Sequence, residues 1–144
     1  MYHYTESGLD NIWLVNGVTS HKTAYGDGVS FKDIDGLHKA ISFDLVHHKP
    51  RLSGKEFRFL RTELDMSQHR LGEWIGTTDQ AVARWEKGKT KVPKWADRLI
   101  RAIYRERVEG SANIADIINR MNELDQKEWE ERRFELDHNW KQAA

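Results

Sequence analysis

Residues 66–93, MSQHRLGEWIGTTDQAVARWEKGKTKVP, decide how this chain is read. Apolar side chains fall at Leu71, Trp74 and Ile75 on one side of Gly76, and at Val82 and Trp85 on the other. That spacing predicts two short amphipathic helices interrupted at a glycine. Ser67 stands where the first helix needs an N-cap, and Thr77 or Thr78 where the second needs one. Each hydroxyl can accept a hydrogen bond from an otherwise unpaired backbone N–H.

A helix, a tight turn containing Gly and a second helix make a helix-turn-helix, whose second helix enters the DNA major groove. Residues 53–106 resemble the helix-turn-helix of the Cro/C1-type (Xre-like) phage and bacterial repressors. The matching elements are Ser67-Gln68, Leu71-Gly72, Ile75-Gly76-Thr77-Thr78, Val82, Trp85-Glu86 and Gly88-Lys89-Thr90-Lys91-Val92-Pro93. The resemblance spans a little over a third of the chain and implies an all-α, lambda-repressor-like module.

Working outward, the charge distribution fits that expectation. Lys+Arg and Asp+Glu balance at 23 each over 144 residues, yet residues 49–107 hold 15 basic against 8 acidic side chains. Residues 1–48 hold 3 against 6, and residues 108–144 hold 5 against 9. A basic middle between acidic flanks suits a DNA-binding module with separate partner-facing parts. Cysteine is absent, which rules out disulfides and thiolate metal sites. No apolar run approaches a membrane span of about 20 residues, and Met1-Tyr2-His3-Tyr4 does not open a signal peptide. The expectation is a cytoplasmic protein with no membrane association.

Residues 1–49 read as a small N-terminal α/β interaction or dimerisation domain. Ile12-Trp13-Leu14-Val15 is β-prone, and Asn16-Gly17 predicts a two-residue hairpin turn with Val18 opening the return strand. Residues 24–28 read as a loop before a short strand at Val29-Ser30-Phe31. Asp33 or Asp35 then caps a helix with Ile34, Leu37, Ile41 and Leu45 on one face, running to about His47. Pro50 stops it, within a linker Lys49-Pro50-Arg51. This segment followed by a repressor-like module resembles, in its order, the MqsA-type antitoxins, which carry an N-terminal zinc-binding domain with paired cysteines. Those cysteines are missing here, so zinc is not carried over. Histidines 3, 21, 38, 47 and 48 lack metal-site spacing and read as solvated surface residues. No phosphate loop, nucleophile elbow or HExxH signature appears, so neither an enzyme nor a cofactor is expected.

Residues 51–107 read as the DNA-binding domain. Ser53 and Glu56 form a capping box flanked by Leu52 and Phe57, and Phe57, Leu60 and Leu64 form the inner face of the helix that follows. Pro93 suits the start of a further helix with Ala96, Leu99, Ile100 and Ile103 inward. The resemblance implies a partly buried structural ion pair between Arg61 and Glu86, with Trp85 in the core. It also implies base contacts from Asp79, Gln80 and Arg84. The chemistry agrees: Gln pairs with adenine N6 and N7, and Arg with guanine O6 and N7. Asp79 either accepts from cytosine N4 or complements the helix dipole. Backbone phosphate contacts are expected from Gln68, Thr77, Thr78, Lys87, Lys89, Thr90 and Lys91.

Residues 108–144 read as a C-terminal helix and tail. Ile114, Ile117, Ile118, Met121 and Leu124 make an apolar stripe that packs on the module's own core or forms a dimer seam. Residues 133–137 then alternate like a strand, His138-Asn139 turns and Trp140 follows, with a continued helix as the alternative. Trp129, Phe134 and Trp140 are read as a cover for the N-terminal sheet or a partner. The whole is an α+β chain: an N-terminal α/β piece with a hairpin and a helix, a central all-α module, and a C-terminal helix with strand-like residues after it. One helix-turn-helix reads few base pairs, and a symmetric pair repairs this. The expected function is a homodimeric, sequence-specific repressor binding an inverted-repeat operator in double-stranded DNA. The alternatives are an antitoxin that binds a toxin protein and regulates its own operon, and a protein-interaction adaptor with a vestigial helix-turn-helix.

Overall fold

A computed structural model describes residues 1–110, 123–124, 134–137 and 139–142. Two small antiparallel strand pairs lead into five α-helices, a mixed α+β arrangement. Strand β1 (Tyr2–His3) pairs with β2 (Trp13–Leu14), and β3 (Val18–Thr23) pairs with β4 (Gly26–Phe31).

This pairing corrects the expected hairpin at Asn16-Gly17. Trp13 lies opposite His3, their rings stacked at 4.1 Å, so β2 finds its partner in the chain's first residues. Gly17 sits instead at the base of the next hairpin, where its carbonyl accepts from Lys32 N–H at 2.9 Å. The turn lies at Ala24-Tyr25, where Thr23 Oγ1 accepts from Tyr25 N–H (3.2 Å) and donates to the Gly26 carbonyl (2.6 Å). Strand β4 therefore starts three residues earlier than the sequence suggests.

Helix α1 (Ile34–His48) opens on Asp33, whose carboxylate accepts from Gly36 N–H at 3.2 Å. It buries Ile41, Ser42, Leu45 and Val46. Ile34, expected inward, is exposed at the helix's first turn, and Val46 takes its place in the core. Helix α2 (Gly54–Glu63) carries the full capping box between Ser53 and Glu56. Helices α3 (Gln68–Ile75), α4 (Asp79–Glu86) and α5 (Lys94–Tyr104) follow, and a π-helical turn, Arg105–Glu109, extends α5 to Gly110.

The buried residues of 1–49 and of 51–107 form one cluster, from Tyr4 and Leu9 through Leu45 and Val46 to Phe57, Leu60, Leu71, Val82, Ile100 and Tyr104. On α5 the inward face differs from the expected one. Leu99 is 41 % exposed, while Asp97 and Arg101 are buried. Arg101 donates to Asp97 (2.6 Å) and to the carbonyls of Val46 (3.2 Å) and Lys49 (2.7 Å), and Asp97 accepts from Leu52 N–H (2.8 Å). The end of α1 and the linker after it are thereby tied to α5, and carbonyls that a helix end leaves unpaired are satisfied.

Strands β5 (Phe134–Asp137) and β6 (Asn139–Gln142) pair antiparallel, with Leu136 opposite Trp140 and both exposed. The strand reading therefore holds at 134–137, and a continued helix there does not. Leu124 is buried against Ala102. Ile114, Ile117, Ile118, Met121, Trp129 and His138 lie outside the described residues. Among the described residues no helix is long and apolar enough to cross a membrane.

Candidate nucleic-acid interface

Local hydrogen bonds set the angle between α3 and α4. Ser67 caps α3 by accepting from Arg70 N–H at 3.0 Å. At the other end Gly76 adopts φ +86°, a left-handed conformation that side chains resist, and it closes the helix on the Gly72 carbonyl at 2.9 Å. Thr77 N–H reaches that same carbonyl at 2.8 Å. Thr78, not Thr77, is the N-cap of α4, accepting from Ala81 N–H at 3.1 Å.

Helix α4 buries Val82, Trp85 and Glu86 against α2 and α3. The Trp85 ring meets Phe57 edge-on at 5.7 Å. Gln80 and Arg84 are exposed on the face turned away from that core, and Asp79 is exposed in the first turn of the helix. Gln80 and Arg84 stand four residues apart, which places them one above the other on a helix. Lys87, Lys89, Thr90 and Lys91 are also exposed, on the segment between α4 and α5.

Beneath this face lies a charged brace. Arg61 Nε donates to Glu86 Oε2 at 2.7 Å and Nη2 to Oε1 at 2.9 Å, the two-point geometry of a strong Arg–carboxylate pair. Arg61 Nη1 also donates to the Met66 carbonyl at 2.9 Å. Gln68, expected to face a phosphate, instead turns its Nε2 to Glu86 Oε1 at 3.0 Å. Only an N–H can face that carboxylate, so the amide orientation follows from the chemistry. One carboxylate thus joins α2, the start of α3 and the end of α4.

Sequence reasoning missed other features. Trp74 shares the apolar spacing of α3 but is 53 % exposed, with the Arg107 guanidinium 5.7 Å from its ring centroid. His38 and His47 are not solvated surface residues. His38 joins the Tyr4 hydroxyl (2.7 Å) to Glu63 (2.6 Å), and His47 meets Glu109 at 2.8 Å. The four-residue step from Asp97 to Arg101 was a visible signal of their pair; no local signal announces the histidine contacts, whose partners are remote in sequence. Among the described residues no group of three or more His, Asp or Glu is placed to hold a metal ion. No family model, curated protein or solved structure matches the chain.

Proposed function

We propose that the protein is a sequence-specific DNA-binding repressor that acts as a homodimer on an inverted repeat. In this reading residues 51–107 are a lambda-repressor-like helix-turn-helix domain, and α4 lies in the major groove. Gln80 and Arg84 read base edges, Arg84 by two hydrogen bonds to a guanine and Gln80 by two to an adenine. Lys87, Lys89, Thr90 and Lys91 hold the phosphates beside the groove. The observation that carries the reading is the outer face of α4. Gln80 and Arg84 project from it into solvent, on a helix that Thr78 caps and Glu86 anchors. Long polar side chains held this way on a rigid, basic support match what base recognition requires.

A symmetric dimer would place two such helices about one helical turn, ~34 Å, apart. Selection of bound duplexes from a random pool tests this, because it reports preference and symmetry together. The expected result is a palindromic site. Arg84→Ala should then relax preference at one base pair per half-site, by about 1–3 kcal/mol. An unchanged preference in that variant, or a selected site without two-fold symmetry, defeats the reading.

A further inference from the structure

Helix α3 turns Leu71, Gly72 and Ile75 into the core and leaves Trp74 largely outside it. Arg70 stands one helical turn before Trp74 and is also exposed, so the two are neighbours on the helix surface. From the turn after α5, Arg107 brings its guanidinium to 5.7 Å from the Trp74 ring centroid, and Val108, next in the chain, is 42 % exposed. Trp and Arg are the side chains in which the binding energy of protein interfaces concentrates. The patch shares no residue with the outer face of α4 or with the lysine rim beside it.

Its positive charge is unanswered. The carboxylates nearest in sequence are already engaged: Glu73 meets His69 at 2.9 Å, and Glu109 meets His47 at 2.8 Å and Arg105 at 3.9 Å. Glu106, exposed on the same turn as Arg107, forms no ion pair with it. Among the described residues neither Arg70 nor Arg107 has a carboxylate within ion-pairing distance. Two guanidinium forks, each shaped to take a carboxylate at two points, are left open beside one indole.

We propose that this patch docks an acidic segment of a partner protein, one that presents an aliphatic or aromatic side chain between carboxylates. The carboxylates take Arg70 and Arg107 as charge-assisted pairs, and the apolar side chain covers the Trp74 ring and Val108. A nucleic-acid strand fits less well. Single strands bind on successive aromatic rings, and among the described residues no ring contact links Trp74 to a second aromatic. The proposal stands apart from the DNA-binding reading and holds whether or not α4 enters a groove.

Fluorescence anisotropy of the full chain tests the surface, with a fluorescein-labelled peptide in which leucines alternate with pairs of glutamates. Saturable binding is expected, falling as sodium chloride rises. It should weaken about tenfold or more in Arg70→Gln/Arg107→Gln and in Trp74→Ala. The same loss is expected in the wild type when glutamines replace the glutamates of the peptide. All three side chains are exposed, and circular dichroism checks that the variants fold. Arg58→Gln, which removes another exposed cation from α2, should leave binding unchanged. No binding by the wild type, an equal loss in Arg58→Gln, or full binding in Trp74→Ala overturns the proposal. Sedimentation of the wild type and Trp74→Ala tests for a second copy: a dimer that the variant splits assigns the patch to self-association and overturns the proposal too. So does binding of labelled oligothymidylate, tighter than that of the peptide, that Trp74→Ala abolishes.

Discussion

Glu86 receives three hydrogen bonds on a carboxylate only 3 % exposed: two from Arg61 and one from Gln68. A charge so far from water depends on its partners, because the interior repays desolvation only when the pairing is complete. Arg61→Ala strands it and is expected to cost about 3–5 kcal/mol, measured by urea unfolding. A loss under about 1 kcal/mol would mean that the pair behaves as a solvated surface bridge. Gly54 is a second residue without substitutes. Its would-be Cβ meets backbone, which cannot swing aside, so Gly54→Ala should cost about 1–3 kcal/mol. A neutral Gly54→Ala in the same unfolding assay would show that α2 and α4 separate freely. The pairing of Arg61 with Glu86 was legible from motif positions. The turn of Gln68 toward Glu86 was not, since the amide could equally have faced solvent.

At the scale of elements, α5 does more than fill the core. Its Asp97–Arg101 pair holds the Val46 and Lys49 carbonyls and the Leu52 amide, so residues 49–52 are clamped where the sequence suggested a plain linker. Arg101→Met keeps much of the volume but leaves Asp97 and the Lys49 carbonyl without that donor. It should cost about 3–5 kcal/mol, while Leu99→Ala, on the half-exposed side of the same helix, should cost clearly less than the 2–5 kcal/mol of a buried Leu. Equal losses in the two variants would reverse the orientation of α5. Periodicity located this helix and its start at Pro93. It misjudged the inward face, because a paired Asp and Arg look like surface residues until their partners are known.

At the scale of the molecule, one core runs through residues 1–107, from the N-terminal strands to the five helices, and tyrosines close it from both ends of that span. Tyr4 and Tyr104 are 2 % and 3 % exposed. Burial, the largest influence on each, pushes both phenols above their ordinary value of 10.0. The folded state thus holds these protons more tightly than the unfolded chain. The contribution of these two groups to stability is intact below about pH 10 and falls as pH rises through the raised values. Urea midpoints from pH 7 to 11 should show this fall, and a Tyr4→Phe/Tyr104→Phe double variant should flatten it. The same alkaline loss in that variant would assign the effect to other groups. What the sequence alone determined are features that close within a few residues: the Ser53–Glu56 box, the Ser67 cap, the tight turn at Gly76 and the start at Pro93. Hydrogen bonds of that reach depend on near neighbours only, so residue types at fixed offsets suffice to predict them. Tertiary structure alone decided that β2 pairs with β1 rather than β3, that Arg101 goes in while Leu99 stays out, and that Gln68 serves Glu86. Each of these is a competition among partners distant along the chain, settled by the packing of the whole core and the pairing of buried groups such as Arg101 and Glu86.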